Sequence, residues 1–292
     1  MRDPHTRAGY WMLAGAFSFA LMGVLTHAAG ARCHWLVVAW ARAGFMFLAM
    51  LTLARWAGVK LAFWKPRTLW IRSMAGSFSL VCNFYALTKM PVADALTLSH
   101  TYPIWIVVLS ALVLKRTPAP WEWIAVACAS VGVLLIEGPT FSTEAWPTVV
   151  ALTSAFATSV AMLGLHRLRA IDARAIVAHF AGLAFVVSTL AVLLNRYVIT
   201  QRLLDRQTLM LLAGVAVTGT IGQFCLTRAY SLGKPARLAT IGLMQVVFAL
   251  AFDIFLWGRV LSPVVILGFI MVLTPSAGLA GLAGVRVSHD EA

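Results

Sequence analysis

Two stretches of this chain read as copies of one helical hairpin. Met74–Arg116 runs MAGSFSLVCNFYALTKMPVADALTLSHTYPIWIVVLSALVLKR, two apolar runs joined around Lys89-Met90-Pro91. Moved along by 143 positions it meets Val217–Arg259, VTGTIGQFCLTRAYSLGKPARLATIGLMQVVFALAFDIFLWGR. Gly76 then falls on Gly219, Ala86 on Ala229, Ala93 on Ala236 and Arg116 on Arg259. A hairpin this apolar has nowhere to bury both of its faces except a bilayer, and its recurrence demands a duplicated bundle.

The rest of the chain agrees. It is 61% hydrophobic and 11% charged, where soluble domains are roughly 45–50% apolar and about 25% charged. Successive runs of about 20 residues are long enough to cross a hydrocarbon core of ~30 Å as helices. The sequence predicts spans at Gly9–His27, Trp35–Ala57, Trp70–Thr88, Val92–Leu114 and Trp121–Ile136. An acidic link from Glu137 to Pro147 follows, and then Thr148–Leu168, Ala175–Leu194, Thr208–Tyr230, Ala236–Trp257 and Pro263–Leu282. Gly9–His27 is too long for a secretory signal and has no clear cleavage site, so it reads as a retained span.

The expected fold is therefore all-α integral membrane, with ten transmembrane helices in two five-helix repeats, residues 9–137 and 145–284. Because five is odd, the two repeats enter the membrane from opposite sides and are inverted. Basic residues set the orientation. A cytoplasmic N-terminus puts Arg2, Arg7, Arg55, Lys60, Lys65, Arg67, Lys115, Arg116, Arg167, Arg169, Arg174 and Lys234 inside, with both termini cytoplasmic. Arg196, Arg202 and Arg206, in the join after the seventh span, run against that rule. The excess of 23 Lys+Arg over 10 Asp+Glu is thereby an orientation signal, and no nucleic-acid partner is expected. Trp35, Trp56, Trp64, Trp70, Trp121, Trp146 and Trp257 fall at span ends, where indole rings favour the headgroup boundary. The scattered Cys33, Cys82, Cys128 and Cys225 have neither metal-ligand nor disulfide spacing, so no metal or cofactor is expected.

Two tandem five-helix halves, carrying Tyr85-Ala86-Leu87, Pro91-Val92-Ala93-Asp94-Ala95, Pro103-Ile104-Trp105 and Leu114-Lys115-Arg116, resemble the EamA-type transporters of the drug/metabolite transporter superfamily. The likeness covers about Trp11 to Gly284. Arg42 and Pro103 stand where many relatives carry the same residue types. The chain departs from them at Lys115-Arg116 and Gly258-Arg259, in place of Gly-Glu pairs, at Val246 in place of proline, and at Pro275 in place of glycine. The resemblance implies a carrier with a central cavity lined by helices one, three, four, six, eight and nine, and a small-molecule substrate.

Polar groups at membrane depth are costly, so each asks for a reason. The candidates for substrate binding are Asn83, Tyr85, His100, Tyr102, Trp105, Gln223 and Gln245, together with Arg42 in the second span. Tyr102 and Gln245 coincide under the shift of 143 residues. For any one of them an interhelical hydrogen bond is the plainer role. His100 is either a neutral hydrogen-bonded ring or a proton relay. Arg42 either snorkels or pairs with backbone, or it meets an anionic substrate. Arg72, Arg228 and Arg237 lie nearer span ends and are expected to reach the cytoplasmic interface. The spacings Ala277…Gly281, Ala280…Gly284 and Cys128…Gly132 favour close helix packing and would suit a homodimer seam.

Three classes of function are compatible with such a bundle. A carrier for a small polar metabolite, an exporter or exchanger of a bacterial inner membrane, fits the repeat and the mid-membrane polar groups. A membrane enzyme would need clustered nucleophiles, metal ligands or paired carboxylates, and no such motif is present. A non-transporting sensor or scaffold is the alternative, although the joins are too short to hold a partner domain.

Overall fold

A computed structural model describes residues 4–62, 64–90, 92–115, 118–138, 145–194, 205–258 and 260–280. Arg2, Pro91, Arg116, Arg196, Arg202, Arg259, Gly281, Gly284 and most of the acidic link lie outside those residues. Twelve α-helices and no strand occur among them. In chain order they are α1 (Pro4–Gly30), α2 (Trp35–Trp56), α3 (Arg67–Lys89), α4 (Val92–Ser99), α5 (Tyr102–Leu114), α6 (Pro120–Glu137), α7 (Ala145–Arg167), α8 (Ala173–Leu194), α9 (Arg206–Leu232), α10 (Pro235–Gly242), α11 (Met244–Trp257) and α12 (Pro263–Ala280). Among the described residues eight stretches are long and apolar enough to cross a membrane, counting α4 with α5 and α10 with α11 as single runs; α3 and α12 do not reach that measure.

Local chemistry sets the helix ends. His34 caps α2, its Nδ1 accepting from the Leu36 N–H at 3.2 Å. Pro120 opens α6 at a position where its missing N–H is harmless, and the Glu122 carboxylate turns back to accept from the Ala119 N–H at 3.2 Å. Asp172 accepts from the Arg174 N–H at 2.8 Å and holds the Arg174 guanidinium at 3.0 Å, fixing the start of α8.

Two of the expected spans are broken. The run from Val92 to Leu114 divides at His100-Thr101, where Pro103 withholds the N–H that the Ser99 carbonyl would take. Ordinary α bonding gives way there to i→i−3 pairs, Thr101 N–H to Leu98 O at 3.2 Å and Ile104 N–H to Thr101 O at 3.0 Å. The run from Pro235 to Trp257 divides at the equivalent position, Leu243, although Val246 stands in place of a proline. Leu243 N–H reaches Thr240 O at 3.1 Å, and Val246 N–H reaches Leu243 O at 2.9 Å. No proline marks the second break; Gly242, a weak helix former with Tyr102 and Met12 packed against it, stands there.

The helices pair across the chain's two halves. α1 lies along α9 and α3 along α7; α2 lies along α8 and α6 along α12. α1 also meets α10 and α11, as α7 meets α4 and α5. Hydroxyls zip α3 to α7: Ser79 Oγ shares a hydrogen bond with Thr158 Oγ1 at 2.6 Å, and Ser154 Oγ donates to Ser79 O at 2.9 Å. Gly132 of α6 faces Gly268 of α12 so closely that a Cβ on Gly132 would stand 2.7 Å from the Gly268 carbonyl. The Cys128…Gly132 spacing is thus used within the chain. At one end of the bundle Arg32 meets Asp205 at 3.1 Å and also Gln207; at the other, Arg167 donates to Val113 O at 2.9 Å.

Candidate functional site

The two breaks meet. Tyr102, first residue of α5, lies between the buried cluster of α1 and α9 and that of α6, α11 and α12. Its hydroxyl points at the second broken run, 3.5 Å from the Ala239 carbonyl. A Cβ added to Gly242 would stand 2.6 Å from that hydroxyl and 2.6 Å from Met12 Cε, so the glycine is what lets α5, α1 and α10 converge. Ser276 of α12 donates to the Thr240 carbonyl at 3.1 Å, taking up an acceptor at the break.

Buried polar atoms at the first break and along α9 go unsatisfied. His100 Nδ1 sits in the first break, Thr97 Oγ1 one turn before it, and Tyr230 Oη and Gln223 Nε2 lie on α9; none has a hydrogen-bond partner among the described residues. Tyr230 shares its cluster with Tyr102, Met12 and Trp11. A buried donor or acceptor left unmade costs about 1–3 kcal/mol, and several on facing helices are the usual mark of a polar ligand or water site.

The sequence candidates divide on this geometry. Asn83 accepts from Ser99 Oγ at 3.0 Å, tying α3 to the end of α4 beside the break. Tyr85 is half-buried on α3, two residues further on. His100 and Tyr102 belong to the crossing itself, Gln223 is buried on α9 two turns before Tyr230, and Gln245 is half-buried in the first turn of α11. Trp105 instead packs edge-to-face on Phe156 of α7, centroids 5.5 Å apart. Arg42 reaches across α9: a Cβ on Gly219 would stand 2.8 Å from its Nε, and its guanidinium lies 6.0 Å from the Phe19 ring.

Tyr230 did not stand out in the sequence because it falls at the edge of its span. Arg72 requires a correction. Rather than reaching an interface it is 1% exposed, since α3 begins at Arg67 and carries it into the second turn, beneath Gly164 of α7. Arg237 is also turned inward, 5.1 Å from the Trp121 ring and 3.9 Å from the Glu122 carboxylate.

Known proteins share this chain's pattern. Residues 6–138 match the EamA-like transporter family. The pseudopaline exporter CntI of Pseudomonas aeruginosa is 28% identical over 267 residues, 91% of this chain and 93% of that protein. An uncharacterised transporter of Helicobacter pylori is 26% identical over 71% of each chain. Human solute carrier family 35 member G1 is 25% identical over 72% of this chain and 61% of that protein. A solved crystal structure superposes with a TM-score of 0.82 at 18% identity, over 99% of this chain and 100% of the other, which shows a shared fold.

The relatives that this chain matches are membrane transporters and not enzymes, and its all-helical, apolar bundle agrees with them. Residues 6–138 carry an EamA-like transporter domain, and the chain is similar to transporters of the drug/metabolite transporter superfamily.

Proposed function

We propose that this protein is a carrier that moves a small polar metabolite across the bacterial inner membrane, as an exporter or exchanger, by alternating access between two inverted five-helix repeats, residues 9–137 and 145–284. One observation carries the reading. The buried, unpartnered atoms of His100, at the first break, and of Tyr230, in one cluster with Tyr102, lie where the two broken runs meet, with Gln223 two turns before Tyr230 on α9, and a polar cargo would supply the missing partners. The reciprocal pairing of α1 with α9 and of α3 with α7 supports the inverted plan, because exchanging the halves reproduces it. Asn83, Tyr85, His100, Tyr102, Trp105, Gln223, Gln245 and Arg42 remain the proposed binding set, with Tyr230 added to it. Both termini face the cytoplasm in this reading, which places Arg167, Arg169 and Arg174 on the inner side.

Proteoliposomes loaded with a labelled metabolite panel test the reading. Pseudopaline, the compound for which the P. aeruginosa relative is named an exporter, heads the panel, followed by amino acids, nucleosides, sugars and organic acids. Saturable efflux of one class is expected, reduced by Gln223→Leu. Folded protein that moves none of them, while a panel member still shifts its melting temperature, would turn the reading towards a membrane sensor.

A further inference from the structure

Arg72 is a buried cation with no anion. Its Nε and Nη1 have no hydrogen-bond partner among the described residues. Three helices hold it in place. Its guanidinium lies 4.0 Å from the Phe180 ring of α8, a Cβ on Gly164 of α7 would stand 3.1 Å from its own Cβ, and Nη1 rests over Gly76 of α3. A face-on aromatic contact returns much less than it costs to bury a guanidinium with its N–H edge unpaired. The arrangement therefore lacks a counter-ion.

Among the described residues no carboxylate pairs with Arg72. α1, α2, α3, α7, α8 and α9 contain neither Asp nor Glu, and Asp172, in the join between α7 and α8, is already held by Arg174. Arg42 is in the same condition, with an unpartnered Nε lying over Gly219, the repeat equivalent of Gly76. Arg42 lies near the start of α2 and Arg72 near the start of α3, and so at opposite ends of the bundle. Arg167 and Arg169 follow Gly164 in the chain, and Arg228 is near enough to act on Asp172. They surround Arg72's end with positive potential that would concentrate anions.

We propose that Arg72 is an oxyanion-binding residue, taking a carboxylate or phosphate of the cargo near one end of the pathway, with Arg42 as its counterpart near the other. This deepens the carrier reading and rests on it: the metabolite carried is an anion. An acidic lipid headgroup offers the same oxyanion chemistry, so the test must separate the two sources.

Full-length protein in an uncharged maltoside micelle is titrated with citrate, inorganic phosphate or phosphatidylglycerol in mixed micelles, and the melting temperature is followed for wild type and Arg72→Met. Citrate or phosphate is expected to raise the wild-type midpoint saturably. Arg72→Met should weaken that binding roughly 30-fold or more, yet melt no lower than wild type without added anion, because the unpaired charge is gone. Protection by phosphatidylglycerol alone, lost in Arg72→Met, would overturn the cargo assignment and make a lipid headgroup the occupant. No protection by any of the three, an equal response in both proteins, or a lower midpoint for the variant in anion-free buffer would each overturn the site. Flux is read separately: wild-type transport by Arg72→Met removes the anion assignment and leaves the carrier reading standing, whereas no flux from wild type removes the carrier reading.

Discussion

The Cys128 thiol donates to the Met271 carbonyl at 3.5 Å, joining α6 to α12 through two residues that lie 143 apart in the sequence. The bond has a cause on the acceptor side. Pro275 sits inside α12 and has no N–H to give the carbonyl four residues before it. Cys128→Ala should therefore destabilise the protein by about 0.5–1 kcal/mol. In a Pro275→Ala background, where the helix satisfies its own carbonyl, most of that cost should vanish. Unfolding measurements on both single variants and the double variant give the coupling directly; a Cys128→Ala effect of the same size in both backgrounds would contradict the explanation.

Lys115 and Gly258 occupy the same place in the two halves and take the same backbone shape, closing α5 and α11 in the left-handed region at φ 50° and φ 64°. Glycine enters that region freely, and a residue with a Cβ does so at a cost of about 1 kcal/mol. Lys115→Gly should accordingly raise stability by about 0.5–1 kcal/mol, and Gly258→Ala should lower it by about 1 kcal/mol. Thermal unfolding of the two variants tests the pair, and a destabilised Lys115→Gly would show that the lysine side chain carries a contact worth more than the strain.

Asp172 gives the protein an acid-sensitive joint. The hydrogen bonds from Arg174 hold its carboxyl below the usual carboxylate range. A carboxyl depressed by folding adds stability that is fully present above its unfolded pKa of ~3.9 and is lost as pH falls through the lower folded value. Asp172→Asn keeps a helix-capping oxygen and removes the charge. Its melting temperature should lie below that of wild type by a constant margin from neutral pH down to about pH 5 and should converge with it on further acidification. A margin that persists unchanged at pH 3 would assign the effect to shape, not charge.

Much of the scaffold was legible because membrane burial writes itself into composition. The runs that became α1, α2, α7, α8 and α9 needed only length and hydropathy, and their ends follow His34 and Asp172. Pro103 accounts for the first break through its missing N–H. The second break has no proline to mark it, and the close approach of Gly242 and Tyr102 there joins residues far apart in the chain. The site was legible in part for the same reason. Tyr102 and Gln223 are conspicuous as polar groups in apolar runs, whereas Tyr230 at a span edge and Arg72 near a helix start look like interface residues until the packing of α9 and α7 covers them. Trp105 was legible as a polar group within its span, whereas its edge-to-face contact with Phe156 of α7 joins residues far apart in the chain.

The crossing itself yields the last prediction, because its two members respond differently to substitution. The Tyr102 hydroxyl is 3.5 Å from the Ala239 carbonyl, the long end of the hydrogen-bond range, so Tyr102→Phe should cost less than about 1 kcal/mol of stability. If that hydroxyl is the cargo's partner, the same variant should lose roughly tenfold in transport, the equivalent of one hydrogen bond. Gly242→Ala should do both kinds of harm: its Cβ would meet the Tyr102 hydroxyl and Met12 Cε at 2.6 Å each, and displacing them should cost about 1–3 kcal/mol. Met12 can swing aside, but the tyrosine ring cannot do so without leaving the break. Combining the two substitutions removes the hydroxyl that the new methyl strikes. The double variant should therefore recover stability relative to Gly242→Ala while its transport stays at the level of Tyr102→Phe. Melting temperature and proteoliposome flux measured on the same preparations separate these effects; recovery of flux together with stability would mean that the hydroxyl serves packing alone.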